Sequence, residues 1–264
     1  MPAAAQSAPI WTYPSENLLQ FDFRISYFDY KEDLPAPLKS TEKGWLPGGV
    51  FGWTRTKPGS VYARTFMEFS GGDIEYDGTT QTGLPITDSN SNQLLFRVEG
   101  NIGYTFGPGN LVFSPYTGFG YRFWKRGDSQ VVNSVAFVRE DYQWMYIPVG
   151  IRAVYPFGKQ LSVEPNAAVR FMFWGRMTAY LTDIGYNSDP TFDLGNKPGY
   201  FIELPVRYRL GRNWSLSLDP WYEYSAIGQS NTETFVIMPF IMSAYEPSSR
   251  THQYGFNMGA GYSF

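Results

Sequence analysis

The last eleven residues, 254–264, limit the possible folds more tightly than any other segment of the chain. Apolar and aromatic side chains fill every second position and end on an aromatic residue: Tyr254, Phe256, Met258, Ala260, Tyr262 and Phe264. The positions between them hold only glycine, asparagine and serine. Because successive side chains of a β-strand point to opposite faces, this pattern predicts a strand with one apolar face and one small, polar face.

The same two-residue period recurs along the chain, and helical periodicity is missing nearly everywhere. Between residues 94 and 106, for example, Phe96 and Val98 alternate with Arg97 and Glu99. The longest uninterrupted apolar run, 235–242, is too short for a membrane-spanning helix. The sequence therefore predicts an all-β protein.

Short turn sequences alternate with long polar stretches. The turns contain Gly, Pro or Asn and lie at residues 56–60, 107–110, 156–160 and 210–213. The long stretches lie at residues 31–44, 71–91, 125–141, 175–197 and 227–250. Four turns and five loops connect ten strands, and this asymmetry is typical of transmembrane barrels.

The aromatic closing strand resembles the last strand of Gram-negative outer-membrane β-barrels, and the chain is similar to uncharacterised proteins of the ten-stranded type. The resemblance implies recognition by the outer-membrane assembly machinery. It also implies a ten-stranded antiparallel transmembrane β-barrel over residues 17–264, with short periplasmic turns, long extracellular loops and a periplasmic segment at 1–16. The alternative is a soluble sandwich or a lipocalin-like barrel with aromatic core positions.

Composition limits the location and the partners. The chain has no cysteine, which excludes disulfides and suits an exported protein. Its net charge of −3 argues against nucleic-acid binding. No signal peptide is visible, and we expect that one has been removed. The expected location is the cell outer membrane, with contacts to outer-membrane lipid and lipopolysaccharide.

Charged residues of both signs occupy the polar face of the predicted strands, which would line the lumen. This predicted lumen network contains Arg24, Arg97, Glu99, Arg122, Arg170, Glu164, Glu203, Arg207, Asp219 and Glu223. Arginine suits such a face because its planar fork binds carboxylates of neighbouring strands. Side chains fill narrow barrels, so we predict a largely filled, ion-paired lumen. The alternative is a narrow solute or ion pore in which charge ladders set selectivity.

Ten-stranded barrels include the omptin proteases, and an omptin-like surface hydrolase is a second alternative. Asp73 and Glu75 are spaced to share one strand face, as general acid–base chemistry requires. The single histidine, His252, has no local carboxylate and shares the outward parity of Tyr254. Phosphate-binding loops, serine elbows and histidine-containing metal clusters are missing from the sequence. The acidic stretches 73–77 and 183–193 are only weak calcium candidates, and we predict no enzyme, cofactor or metal site.

The fifth long loop carries an unusually apolar segment, in which seven residues surround Pro239: Phe235, Val236, Ile237, Met238, Phe240, Ile241 and Met242. Exposed apolar patches of this size typically mark interaction sites. Packing among the loops, a plug over the barrel mouth and contact with a partner or lipid are all consistent with it. The leading hypothesis is a non-enzymatic barrel that presents its loops to an extracellular protein or other surface partner.

Overall fold

The computed structural model describes most of the chain beyond its N-terminal segment. The described residues are 17–264 without 81, 108–110, 133–134 and 238–239. The predicted periplasmic segment at 1–16 and Met238 lie outside them. Within these residues, no helix has the length and apolar character needed to cross a membrane.

Ten spanning strands follow one another up and down the wall. Six are β1 (Asn17–Glu32), β2 (Ser40–Arg55), β3 (Ser60–Thr79), β4 (Pro85–Thr105), β5 (Val112–Arg126) and β8 (Glu140–Phe157). The seventh is β9 (Leu161–Val163) with β10 (Asn166–Ala179), and the eighth is β13 (Pro198–Glu203) with β14 (Val206–Arg209). The last two are β15 (Trp214–Gly228) and β18 (Ser249–Ser263).

Shorter elements lie in the connections at one end of the wall. They are β6 (Gln130–Val132), β7 (Val135–Phe137), the 3₁₀ helix η1 (Leu181–Ile184), β11 (Thr191–Asp193), β12 (Gly195–Asn196), β16 (Glu233–Ile237) and β17 (Phe240–Ala244). We call this end the loop end and the opposite end the turn end. The pairs β6–β7 and β16–β17 form separate two-stranded hairpins.

The sheet closes on itself. β18 pairs antiparallel with β1 on one side and with β15 on the other, so the last strand joins the first. Every neighbouring pair around the ring is antiparallel. The predicted ten-stranded antiparallel barrel is confirmed. Closure satisfies the backbone groups that an open edge would leave unpaired.

Side-chain parity separates the two faces as predicted. On β1, Phe21 and Phe23 are 63% and 52% exposed on the outer face, whereas the intervening Asp22 and Arg24 are buried inside. The small inward-facing residues of β18 leave room for long side chains from other strands. A Cβ added at Gly261 would lie 2.9 Å from the guanidinium Nη1 of Arg207.

Two predicted loops are much shorter than expected. Residues 71–91 are not a long loop, because β3 continues to Thr79, β4 begins at Pro85, and the two pair through to their ends. Likewise, β2 begins at Ser40. The polar stretch was a poor guide because these strands extend beyond the apolar belt, where their outer face meets water. Their inner face remains buried, as at Ile74, which is 2% exposed.

An aromatic layer fills the barrel towards the loop end. Its buried rings include Tyr30, Trp124 and Tyr142. Trp124 stacks on Tyr142 with ring centroids 4.7 Å apart and meets Tyr30 edge-on at 5.0 Å. The indole N–H of Trp124 donates to Gln93 Oε1 at 2.7 Å, so the polar atom of this large ring is satisfied. The layer separates the charged lumen below from the loop end above.

Candidate functional site: the ion-paired lumen and the loop-end cup

The centre of the lumen is organised around one carboxylate, Glu223 of β15. It accepts hydrogen bonds from Arg97, Arg122 and Arg170, the last at 2.8 Å. Arg97 and Arg122 come from β4 and β5, so their side chains reach across the interior to the opposite wall, whereas Arg170 comes from β10, two strands from β15 along the wall. All four side chains are buried. A carboxylate has enough lone pairs for several charged donors, which makes Glu223 a suitable hub.

Two further carboxylates extend this network. Glu68 on β3 lies 2.9 Å from Arg24 Nη1 and 3.1 Å from Arg97 Nη1. Glu99 on β4 accepts from Arg170 at 3.1 Å and from the hydroxyl of Tyr146 at 2.8 Å. Buried charges are tolerated when they are paired and hydrogen-bonded in this way.

The turn end of the lumen contains a second group of pairs. Glu164 binds Arg152 and Arg207, and Glu203 binds Arg64. Glu164 lies between β9 and β10, where the strand is interrupted. The carboxyl of Asp219 accepts from Asn257 Nδ2 at 3.1 Å. The ten residues of the predicted lumen network therefore all lie inside the barrel, nine of them in ion pairs and Asp219 beside an amide.

The interior of the barrel is nearly full. Two lumen cavities have volumes of about 30 and 20 Å³, one beside Asp219 and one beside Arg97. Each has room for about one water molecule. The aromatic layer and the arginines that bind Glu223 occupy the interior between these cavities and the loop end.

A much larger cavity, which we call the cup, opens above the aromatic layer at the loop end. Its volume is about 680 Å³, within the range of small-molecule binding sites. Apolar side chains from four connections and from the start of β4 contribute to its wall: Leu34, Ile86, Phe137, Leu181, Ile184, Tyr186 and Phe235. Its floor is charged and contains Glu32, Glu42, Arg126 and Glu140.

The inward residues of β5 connect these levels in sequence order. Arg122 reaches the lumen hub, Trp124 belongs to the aromatic layer, and Arg126 lies in the cup floor. Each lies two positions after the one before it, because every second side chain of a strand points to the same face. One strand thus fixes the relative heights of hub, aromatic layer and cup.

Arg126 is surrounded by carboxylates. Glu32 Oε1 and Glu140 Oε2 both lie 2.8 Å from its Nη1, and Glu42 Oε2 accepts from its Nε at 3.0 Å. Its Nη2 donates to Ser40 Oγ at 2.9 Å. Every nitrogen of the guanidinium is therefore engaged. Three carboxylate groups facing one guanidinium make the floor acidic, in contrast to the lumen, where the two signs are nearly matched.

A fourth carboxyl group lies beside this floor. Glu246, in the connection between β17 and β18, is 5% exposed and lies 2.7 Å from the Tyr142 hydroxyl, which also lies 3.0 Å from Glu140. Burial raises the pKa of Glu246 well above 4.5, and the charges of Glu140 and Glu32 raise it further. The Tyr142 hydroxyl has one hydrogen, so Glu140 and Glu246 share a single donor between them.

The apolar segment of the fifth loop forms the β16–β17 hairpin. Phe235 packs against the aromatic layer, whereas Val236, Ile241 and Met242 are 42%, 75% and 41% exposed. Phe235 and Met242 also line the cup. Ile237 and Phe240 pair through their backbones at the tip of the hairpin. The segment thus contributes to the cup wall and presents an apolar surface outside it.

The omptin-like constellation does not assemble. His252 lies on the outer face of β18, where its Nδ1 is 2.9 Å from the Tyr222 hydroxyl. Asp73 and Glu75 are exposed on β3, and β1 and β2 lie between that strand and β18. Three strand spacings of about 4.8 Å separate the histidine from the carboxylates along the wall.

The weak calcium candidates are occupied by protein donors. Asp189 accepts from the backbone and the hydroxyl of Thr182, and Asp193 pairs with Arg176. Over the part of the chain that the structure describes, no group of three or more His, Cys, Asp or Glu residues is arranged to hold a metal ion.

The cup floor and the aromatic layer are absent from the sequence-based prediction. The signal was present in β1, where the inward parity of Asp22 and Arg24 continues to Phe28 and Tyr30. These rings were not predicted because the inner face was expected to be polar along its whole length. The acidic floor was hidden because Glu32, Glu42 and Arg126 fall within stretches read as loops.

Comparisons with known proteins agree with the barrel. A family model described as Autotransporter beta-domain matches residues 38–220, more than half of the chain. The fold is similar to the outer membrane protease OmpT from Escherichia coli, with a TM-score of 0.61, 10% sequence identity, and coverage of 99% of this chain and 100% of that one. No curated protein matches the chain.

Two other solved structures are more distant. OprG from Pseudomonas aeruginosa has a TM-score of 0.43 at 12% identity, over 95% of this chain and 96% of that one. The translocator domain of the autotransporter NalP from Neisseria meningitidis has a TM-score of 0.44 at 9% identity, over 96% and 91%. At 10% identity, the likeness to OmpT bears on the fold alone. The family match and the closed ten-stranded wall lead to one assignment: the chain belongs to the autotransporter beta-domain family and is a β-barrel of the Gram-negative outer membrane.

Proposed function

We propose that this barrel is a non-enzymatic surface-binding protein that captures an extracellular ligand in the cup formed by its loops. The observation that carries the proposal is the pairing of an open cavity of about 680 Å³ with a filled lumen beneath it. A ligand that enters the cup meets the aromatic layer and the ion pairs rather than a path through the barrel. Retention at the surface fits this geometry better than passage.

The omptin-like acid–base arrangement is not assembled among the described residues, and this supports a binding role. His252 is committed to Tyr222 on the outer face, and the acidic pair on β3 lies three strands away. A general base must be within hydrogen-bond reach of the proton that it removes. The carboxylates of the cup floor are instead engaged by Arg126.

The β16–β17 hairpin offers the most direct test, because it contributes both to the cup wall and to the exposed apolar surface. We expect that replacing residues 235–242 with a Gly/Ser linker abolishes ligand binding while the barrel still folds. Bacteria displaying either form would be compared for retention of fluorescent solutes and labelled serum proteins. β-sheet circular dichroism of the purified protein checks the fold.

A matched control replaces the turn at 210–213, at the opposite end of the barrel, with a linker of the same kind. This variant should be displayed equally and should bind like the unmodified protein. Retention that is the same with and without the hairpin, at equal display, would contradict the proposed role of the hairpin in binding.

A further inference from the structure

The charge of the cup floor differs from that of the lumen in a way that selects a ligand. Glu32 and Glu140 both contact the same nitrogen of Arg126, and Glu42 contacts another. All the guanidinium nitrogens are engaged, so Arg126 cannot balance the additional negative charge. A cation placed above Glu32 and Glu140 would relieve the repulsion between them.

The wall of the cup increases this imbalance. Asp88 lines the cavity, and Gln130, a neutral group, donates to it at 3.1 Å. The cation of the wall, Lys39, is taken up by Asp77. The two cations that line the cup, Lys39 and Arg126, are thus already paired with other carboxylates, whereas Asp88 has a neutral partner.

The remaining wall is apolar and aromatic. Phe137, Tyr186 and Phe235 come from three different connections and face the same cavity as the acidic floor. Such a cavity fits a molecule with a positive head and an apolar body. Rings near an ammonium group also attract it through their negative faces.

We propose that the cup binds an organic cation, an amine or guanidinium compound with an apolar or aromatic body, whose head group contacts Glu32 and Glu140. This inference rests on the proposed use of the cup as a binding site. The head group donates to the two carboxylates, and the body contacts the wall of Phe137 and Phe235. The aromatic layer stops the ligand from moving further into the lumen.

Three fluorescent probes that share one dansyl body and a similar chain length test the proposal. Dansylcadaverine ends in an ammonium, N-acetyl-dansylcadaverine in a neutral amide, and dansyl-aminohexanoate in a carboxylate. The purified full chain in nonionic detergent should bind the ammonium probe saturably. Its affinity should exceed that for the neutral probe by about tenfold, since hydrogen bonds to charged groups are the stronger ones.

Isosteric variants locate the head group. We expect Glu32→Gln and Glu140→Gln each to lower the affinity for the ammonium probe by about tenfold. The affinity for the neutral probe should stay unchanged. Arg126 retains two carboxylate partners in each variant, so its charge stays paired. Asp88→Asn, on the wall, should lower the affinity for the same probe by a smaller factor. This change leaves the ion pairs of the cup floor intact. Glu75→Gln, at an exposed outward position on β3, is the matched control and should change nothing.

The outcomes separate this inference from the proposed function. Equal binding of the ammonium and neutral probes, or no effect of all three acidic-to-amide changes in the cup, would overturn the preference for a cation and leave the cup as a binding site. Saturable binding of none of the probes would overturn the inference itself. The hairpin replacement, read out with other solutes and proteins, tests the proposed function independently.

Discussion

At the scale of single residues, Glu246 is an acidic group buried at the loop end of the barrel. Its carboxyl is buried beside Tyr142 and close to Glu140, and the two carboxyl groups share the Tyr142 hydroxyl as a donor. The raised pKa means that the folded protein binds this proton more tightly than the unfolded chain does. The folded state therefore loses stability as pH rises above 4.5 towards the pKa of the folded form.

We expect Glu246→Gln to raise the unfolding temperature at neutral pH by about 2–4 °C, because the amide removes the cost of ionising a buried group. The difference should shrink towards zero below about pH 4, where the carboxyl is protonated in both states. Thermal unfolding of the purified barrel, followed by circular dichroism across this pH range, measures it. Glu75→Gln is the exposed control; a stabilisation by Glu246→Gln that is equally large at acid pH would contradict this explanation.

At the scale of elements, neighbouring strands fit because one contributes a small residue where the next contributes a ring. A Cβ added to Gly120 on β5 would lie 2.2 Å from the Tyr146 ring on β8, and one at Gly150 would lie 2.6 Å from the Tyr116 ring. Tyr146 is held in turn by its hydrogen bond to Glu99. The glycines of the inner face are therefore packing positions that admit tyrosines into a crowded lumen.

We expect Gly120→Ala to destabilise the barrel by about 1–3 kcal/mol, the usual cost of overpacking. Tyr146→Ala should cancel most of that penalty in the double variant, because the clash requires both side chains. Denaturant unfolding of all four forms gives the coupling between the two sites. Gly100→Ala, where an added Cβ meets nothing within 4 Å, is the control. Strictly additive effects would show that the two positions do not meet.

The sequence was informative about elements where one side-chain period covered a whole strand. The alternation in 94–106 and 254–264 places β4 and β18, and the turns divide the wall correctly into ten strands. The sequence was uninformative where strands extend beyond the apolar belt. The outer face is polar there, so the alternation of apolar and polar residues is lost. That loss explains both the loops assigned too long and the missed floor around Arg126. Pairing partners such as Glu223 and Arg170 require register across the lumen, which one strand's pattern cannot supply.

At the scale of the whole molecule, buried ion pairs and the aromatic layer occupy the interior of the barrel over the residues that the structure describes. We expect the unmodified protein to show no discrete conductance in planar lipid bilayers. Replacing Arg122 and Glu223 together with serine removes a crossing pair and preserves the charge balance. Arg97 and Arg170 keep Glu68 and Glu99 as partners. Brief, small openings should appear in this double variant alone, and openings of the unmodified barrel would contradict a filled lumen.

The hub at Glu223 also has a consequence for how the wall is assembled. Arg122 is on β5, yet both of its hydrogen-bond partners, Glu223 and Gln253, are on the last two spanning strands. A sheet that has formed only its first strands leaves that guanidinium facing inward without an acceptor from either. The compensating contacts form when β15 and β18 reach their places and the ring is complete. The interior thus couples the final pairing of β18 with β1 to the formation of these buried contacts. Open intermediates lack the contacts, so closure of the barrel is stabilised by residues on the opposite wall.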